Sequence, residues 1–553
     1  MYMQKEKSQK KSASANPKQP IQLKKEGARA LKRICLHQMG FDGVEERNSK
    51  IMIPAYEPFI IDLERKYIRE KDKQPMVYAK YDFHEGCVKN LPDRYWKRLS
   101  SPDDNYDAIQ SAYKKLEARL SEAGITLKGW DAISNHIIIR SNSGIPIPPA
   151  IFEQTFWQII MTAIPRIKRD LNIIKQNNLI TEDATRIIQI ELSGGDSHKM
   201  GQTPLFVTFN DGKRIVYKPN SLEMDAALFR QGDSAASQLS VQGGQQIPQY
   251  NILPLTDNDT QDKYGYMEFI DSTVTPPDGQ GKEQIFQIFR SIAANMAFSY
   301  LFGLADIHQE NFILHNNSLQ LIDMEVVTGV YGDTVLQGWK QLLSNYAFTG
   351  KVNMSKLTNE DFISLKGEME ESFRAIYNKA ATYCIIDDNV RPILNQSSDL
   401  RAMQVRFVPF PTRYFYEQIT YAENMSYQEW QDYIDQPVPY DPSLPRNEMC
   451  LPNFIMTPLT VTTILKAPGT YEALHRGEIP FYTKYTDRPN EIQDENGYTI
   501  LLPQETAPMF HTTMIPQVDS RWPRQTDPQG ELTQQLFQPF WDIVNETFYA
   551  ICR

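Results

Sequence analysis

The chain has 553 residues, 41% of them apolar and 11% aromatic, which excludes extended disorder as its main state and asks for several folded units rather than one core. Its 58 Lys and Arg against 68 Asp and Glu leave a formal charge of −10, so no global basic field points to nucleic acid. The 5 cysteines are scattered without a CxxC pair, no apolar signal segment is visible and no run reaches the roughly 18 apolar residues of a membrane span. These features predict reduced thiols, a cytoplasmic protein and no membrane span.

Residues 1–25 carry Lys5, Lys7, Lys10, Lys11, Lys18, Lys24 and Lys25 against Glu6, and predict a disordered basic tail, with a peptide- or membrane-attracting arm as the other reading. Residues 26–185 are expected to be mainly helical: Phe152, Phe156, Ile159, Ile160, Ile164, Ile167, Leu171 and Ile174 recur at helical spacing after a break at Gly144, Pro146, Pro148 and Pro149. The period then changes. Ile187–Leu192, Pro204–Phe209 and Arg214–Lys218 read as strands, the last two joined by the turn Asn210-Asp211-Gly212. Ser221 opens a helix through Phe229; residues 231–262, rich in Gln, Gly and Asp, read as a loop or insertion; Tyr264–Ile270 is another strand. A long amphipathic helix from Lys282 to Phe302, stopped by Gly303, precedes a hairpin of 312–314 and 319–322. Residues 436–553 begin with a proline-rich, poorly periodic stretch and close with a helix over 532–551.

This order predicts an α+β, bilobed kinase-like core: a small β-rich lobe over 186–280 and a larger, mainly helical lobe over 281–435. A helical N-terminal region and a proline-rich C-terminal elaboration over 436–553 flank it.

The candidate chemistry lies in Asp306-Ile307-His308-Gln309-Glu310-Asn311 and Leu321-Ile322-Asp323. Phosphoryl transfer needs a carboxylate near the attacking hydroxyl and oxygen ligands for Mg²⁺ on the ATP phosphates. A catalytic-loop Asp, an Asn five residues later and a metal-binding Asp beyond a hairpin are the kinase arrangement, and Asp306, Asn311 and Asp323 match it. An Asp at the end of an apolar strand also needs a partner such as a metal. Lys218, closing a β-branched strand, can reach phosphate oxygens, with Glu223 the nearest expected ion-pair partner. Gly194-Gly195-Asp196-Ser197-His198 can bend backbone over phosphates, or simply be a turn capped by Asp196.

Together with Val216-Tyr217-Lys218-Pro219, Arg406-Phe407-Val408 through Pro411-Thr412-Arg413, and Gly477-Glu478-Ile479-Pro480-Phe481, these segments resemble the dehydratase domain of class II lanthipeptide synthetases. The ordered set spans roughly residues 190–490. The resemblance implies an enzyme that uses ATP and Mg²⁺ to phosphorylate Ser and Thr of a precursor peptide or protein. It then eliminates phosphate to leave dehydroalanine or dehydrobutyrine. It further implies that Asp306 serves the acceptor with His308 beside it, that Asn311 and Asp323 hold Mg²⁺, and that Lys218 contacts ATP phosphates. Asp196 and His198 match further residues of the phosphorylation step, and Arg406 and Thr412 match the elimination pair.

Three departures matter. The family's second Arg, four residues after the first, is Phe410 here, and a family Thr is replaced by Gly338. The family's zinc-binding cyclase has no counterpart before Arg553, so ring formation is expected to fall to a separate cyclase. Two other readings follow: a kinase that stops at the phosphoester, and an inactive kinase-like module that only recruits a partner.

Overall fold

The computed structural model describes residues 102–142, 149–193, 198–199, 201–240, 247–304, 307–308, 311–323, 332–386, 404–409, 415, 418–419, 421–435, 458–485, 488, 491–502, 527 and 530–552. The basic tail and the rest of 1–101 lie outside the described residues. By their contacts, residues 160–169 belong to one unit, and the described residues of 73–159 and 170–553 form another. The first holds a short α-helix, Ile164–Arg169, that buries Ile164, Arg166 and Ile167.

The described residues of the second unit begin with helix α1 (Pro102–Glu122), strand β1 (Thr126–Lys128), α2 (Trp130–Asn142) and α3 (Pro149–Gln158). Tyr113 of α1 lies between Trp130 and Phe156, with ring centroids 5.1 and 6.3 Å away. The small lobe contains β2 (Ile187–Leu192), β3 (Leu205–Phe209), β4 (Arg214–Lys218), the helices α4 (Glu223–Phe229) and α5 (Ala235–Leu239), β5 (Ile252–Thr256) and β6 (Lys263–Glu268). These strands form a six-stranded sheet in the order β1-β2-β3-β4-β6-β5, antiparallel except for β1 against β2. Two of its strands correct the sequence reading. β1 was expected within a helical region, but three residues are too few to display a period. β5 lies in the expected loop, where Pro254 interrupts the apolar pattern; as an edge strand it can dispense with that missing N–H. On one face of the sheet, Tyr264 and Tyr266 donate to a single oxygen of buried Asp170, at 2.6 and 2.8 Å.

The larger lobe is built on α6 (Lys282–Phe302), which ends as expected at Gly303 in the left-handed region, φ +63°. The hairpin of β7 (Phe312–His315) and β8 (Ser318–Leu321) follows, then α7 (Gly332–Ser344), α8 (Tyr346–Thr349) and α9 (Asn359–Ile386). A second sheet joins β9 (Gln404–Phe407) to β10 (Tyr482–Tyr485), β11 (Glu491–Gln493) and β12 (Thr499–Leu501), in the order β12-β11-β10-β9. Around it lie α10 (Tyr427–Asp435), α11 (Pro458–Leu465) and α12 (Pro468–His475). The closing helix α13 (Glu531–Cys552) matches its expected span within a residue at each end. The whole is α+β and consistent with a two-lobe kinase-like arrangement. Among the described residues no helix is long and apolar enough to cross a membrane.

Aromatic rings join α6 to α8 and α13. Phe289 is fully buried, 6.3 Å from Phe348 and 5.5 Å from Phe548 between ring centroids. Phe289→Ala should therefore cost about 3–5 kcal/mol, the range for a phenylalanine truncated inside a packed core. Urea unfolding followed by circular dichroism measures it; a loss below about 1 kcal/mol would mean that the ring cluster collapses around the gap.

Candidate functional site

Lys218 ends β4 with its side chain turned inward, 7% exposed. Its Nζ lies 2.5 Å from Asp323 Oδ1 and 3.9 Å from Asp225 Oδ1. Glu223, the expected partner of Lys218, instead accepts from Lys263 Nζ at 2.7 Å. The reason is helical geometry: positions 223 and 225 on α4 are about 200° apart around the axis, so only one of them can face the sheet. Asp225, 3% exposed, is that one.

Asp323 is delivered by the β7–β8 hairpin. Asn316 and Asn317 turn it with φ +50° and +56°, the left-handed pair of a tight hairpin turn. Side chains of α6 fasten it: Ser291 Oγ accepts from Leu319 N at 2.8 Å, and Asn295 Nδ2 donates to Leu319 O at 3.2 Å. From the small lobe, Tyr250 donates to Leu321 O at 2.7 Å. Asp323 itself is left-handed, φ +61°, a conformation that costs a non-glycine residue about 1–2 kcal/mol and is often found at functional positions. Its side chain lies deep among protein atoms yet keeps 40% of its surface accessible. Burial pushes its carboxyl up, but Lys218, then Arg406 and His308, outweigh burial and hold it below the ordinary 3.8.

Asn311, 6% exposed, sits at the entrance to β7. Its backbone N–H donates to His308 O and its Nδ2 to His308 Nε2, both at 3.1 Å, and its carbonyl accepts from Ile322 N at 3.0 Å. The loop residues His308 and Asn311 are thus tied to each other and to the residue before Asp323.

Arg406 comes from the second sheet. Its Nη2 donates to His198 Nε2 at 3.2 Å. His198 Nδ1 meets the carbonyl of Ile479 at 2.9 Å, and because a carbonyl only accepts, Nδ1 carries the proton. Phe481 lies against both, 5.5 Å from the His198 ring and 5.4 Å from the Arg406 guanidinium. Arg406, Lys199, Asn220, Lys263, Phe481 and Thr483 help line a polar cavity of about 320 Å³ between the two sheets.

The structure therefore brings Lys218, Asp323, Asn311 and His308 together, and links His198 to Arg406, whose field reaches Asp323. Asp196, Asp306, Thr412 and Phe410 lie outside the described residues. Gly338 is buried within α7. Asp225 has no signal in the sequence beyond its place two residues after Glu223, and Glu478, Ile479 and Phe481 carry no task there beyond their motif.

Residues 152–347 match a family model described as a domain of unknown function (DUF4135), a domain found in lanthipeptide synthetase proteins. The matched segment includes His198, Lys218, Asn311 and Asp323 and ends before Arg406. No curated protein matches the chain.

The Arg476 guanidinium bridges Glu478 and Glu495, and Glu495 lines the same cavity as Arg406. Glu495 Oε2 is buried without a hydrogen-bond partner, and burial is the main reason its carboxyl is pushed up from 4.5 to about 7, against the pull of Arg476. A raised carboxyl binds its proton more tightly in the folded state. Its contribution to stability is therefore complete below pH 4.5 and is lost as pH rises through about 7. Glu495→Gln should remove this slope, so that wild type loses stability relative to the variant across that window. Urea midpoints at several pH values check it, and parallel curves would overturn it.

Proposed function

We propose that the chain is an ATP- and Mg²⁺-dependent dehydratase that phosphorylates Ser or Thr of a precursor peptide or protein and then eliminates the phosphate. The observation that carries this reading is the 2.5 Å contact between Lys218, at the end of a small-lobe strand, and Asp323, just beyond the hairpin. Folding alone seldom buries an ammonium beside a left-handed carboxylate, whereas a nucleotide-phosphate site uses both. The family match over 152–347, to a domain found in lanthipeptide synthetase proteins, supports the same direction.

Mg²⁺ favours oxygen ligands and is commonly held by one or two protein groups plus substrate phosphates. Among the described residues no group of three or more His, Cys, Asp or Glu could hold a metal. The donor set fits a metal shared with a nucleotide: the Asp323 carboxylate and the Asn311 amide oxygen would supply the protein ligands. Bound there, Mg²⁺ would neutralise charge developing between the β- and γ-phosphates. Lys218 would hold phosphate oxygens, and Asp306 would receive the proton of the acceptor hydroxyl as its oxygen bonds to the γ-phosphorus and ADP departs. In the second half-reaction a base at the acceptor's α-carbon would take the α-proton, the freed electron pair would form the Cα=Cβ double bond, and the C–O bond to phosphate would break; Arg406 would stabilise the leaving phosphate, with Thr412 helping to hold its oxygens.

ATP with Mg²⁺ should raise the melting temperature, since a ligand of the folded state stabilises it by mass action. Asp323→Asn should abolish most of the Mg²⁺-dependent part; an unchanged shift in a thermal melt would remove Asp323 from the metal site.

Arg406→Ala should still phosphorylate the acceptor but accumulate the phosphoester. Removing a donor from a developing anion typically costs about 10²–10³-fold. A mass-spectrometric time course on one acceptor reads both steps. Dehydration at the wild-type rate would clear Arg406 of the role, and a wild type that itself stops at the phosphate adduct would favour a simple kinase.

A further inference from the structure

The loop that carries His198 is not one its own residues favour. Residues 198 and 202 are joined by reciprocal backbone hydrogen bonds of 3.0 and 2.7 Å, and the turn between them needs Lys199 at φ +49° and Gly201 at φ +85°. Gly201 is pressed so close that a Cβ there would lie 2.5 Å from Thr155 N. A turn with two left-handed residues, one of them a lysine, needs an outside hold.

Segment 476–481 supplies that hold. Glu478 is 1% exposed, and its Oε1 accepts the Gly201 N–H at 2.6 Å. Its Oε2 accepts Nε and Nη2 of Arg476 at 3.2 and 3.1 Å. One residue on, the Ile479 carbonyl accepts from His198 Nδ1–H, and two further on Phe481 packs against the ring. The carboxylate grips the loop at 201 while the following backbone grips the imidazole at 198. The loop and the imidazole are therefore registered by one short stretch of chain. With Nδ1 protonated, the Nε2 lone pair accepts from Arg406, which fixes one edge of the guanidinium.

We propose that Glu478 is a positioning residue: by clamping the Gly201 amide it keeps His198 on Ile479 in the Nδ1–H tautomer, and through His198 it aims Arg406 at the phosphate. The aim of Arg406 rests on the dehydratase reading; the clamp and the tautomer do not. The role is distinct from general packing, because a merely structural ion pair would alter stability without biasing one imidazole tautomer.

The test uses the full chain labelled with ¹⁵N-histidine, with His198→Gln to assign the His198 signals. Two-bond ¹H–¹⁵N spectra should show the Nδ1–H tautomer in wild type and a mixture of tautomers in Glu478→Leu, which has no oxygen to accept the Gly201 amide. In the dehydration time course the same variant should lose about 10- to 100-fold in kcat for phosphate elimination, with KM within about threefold, the signature of a misaimed group rather than lost binding. An unchanged tautomer in a folded Glu478→Leu would overturn the clamp whatever the activity. A changed tautomer with unchanged kcat would overturn the link to Arg406. A changed tautomer in a protein whose wild type never dehydrates the acceptor would uphold the clamp and sink the dehydratase reading. Should Glu478→Leu fail to fold, Glu478→Asp, which keeps the charge but shortens the reach to the Gly201 amide, carries the same test with the same outcomes.

Discussion

The contact between Lys218 and Asp323 ties the small-lobe sheet to the hairpin of the larger lobe, and much of the site's geometry depends on it. An ammonium with only 8% of its side-chain surface accessible cannot be left unpaired, because removing one partner of a buried ion pair costs several kcal/mol. The cost falls asymmetrically. Lys218 has little water to fall back on, while Asp323 keeps 40% of its surface accessible, so the lysine is the partner that needs the contact for folding. Asp225, 3.9 Å away on α4, adds a second carboxylate to the same ammonium and brings the helix into the arrangement.

What holds Asp323 in place is not local. The hairpin's own turn sets its register, but its depth is set by Ser291 and Asn295 on α6 and by Tyr250 from the small lobe. Helix α6 is in turn locked by the ring cluster of Phe289, Phe348 and Phe548. The chain of support therefore runs from an aromatic core through two buried polar side chains to a carboxylate. Ser291 Oγ, Asn295 Nδ2 and Tyr250 Oη along it are each hydrogen-bonded, which lowers the cost of burying them, while Asn295 Oδ1 is buried without a partner. Rigid packing of this kind is how a strained, left-handed aspartate is kept in position.

The second sheet contributes in a different way. Arg406 on β9 and Thr483 on β10 are register partners, so pairing of two strands far apart in sequence carries the guanidinium to the rim of the cavity. From there its charge reaches Asp323, and its donor edge reaches His198. The groups that lower the Asp323 carboxyl thus come from three separate stretches of chain: Lys218 from the small lobe, His308 from the loop before β7, and Arg406 from the C-terminal sheet. Their joint field explains why a deeply placed carboxyl stays ionised.

How much was legible in the sequence depended on the range of the interaction. The strands 187–192 and 214–218, helix 282–302 with its stop at Gly303, the hairpin before Asp323 and the closing helix all declared themselves, because period, turn residues and caps act within a few neighbours. The spacing of Lys218, Asn311 and Asp323 was likewise readable, since it follows from the order of those elements. The short edge strand β1 and the proline-bearing β5 were not, because their pairing energy comes from distant partners rather than from a pattern of their own. The choice of Asp225 over Glu223 depended on which face of α4 meets the sheet. The grip of Glu478 on Gly201 depended on loop segments more than two hundred residues apart closing on each other. Sequence by itself determined which chemical groups the chain carries and the local elements that bear them; only the tertiary structure decided which of those groups meet, because burial and electrostatic pairing act across space and leave no period along the chain.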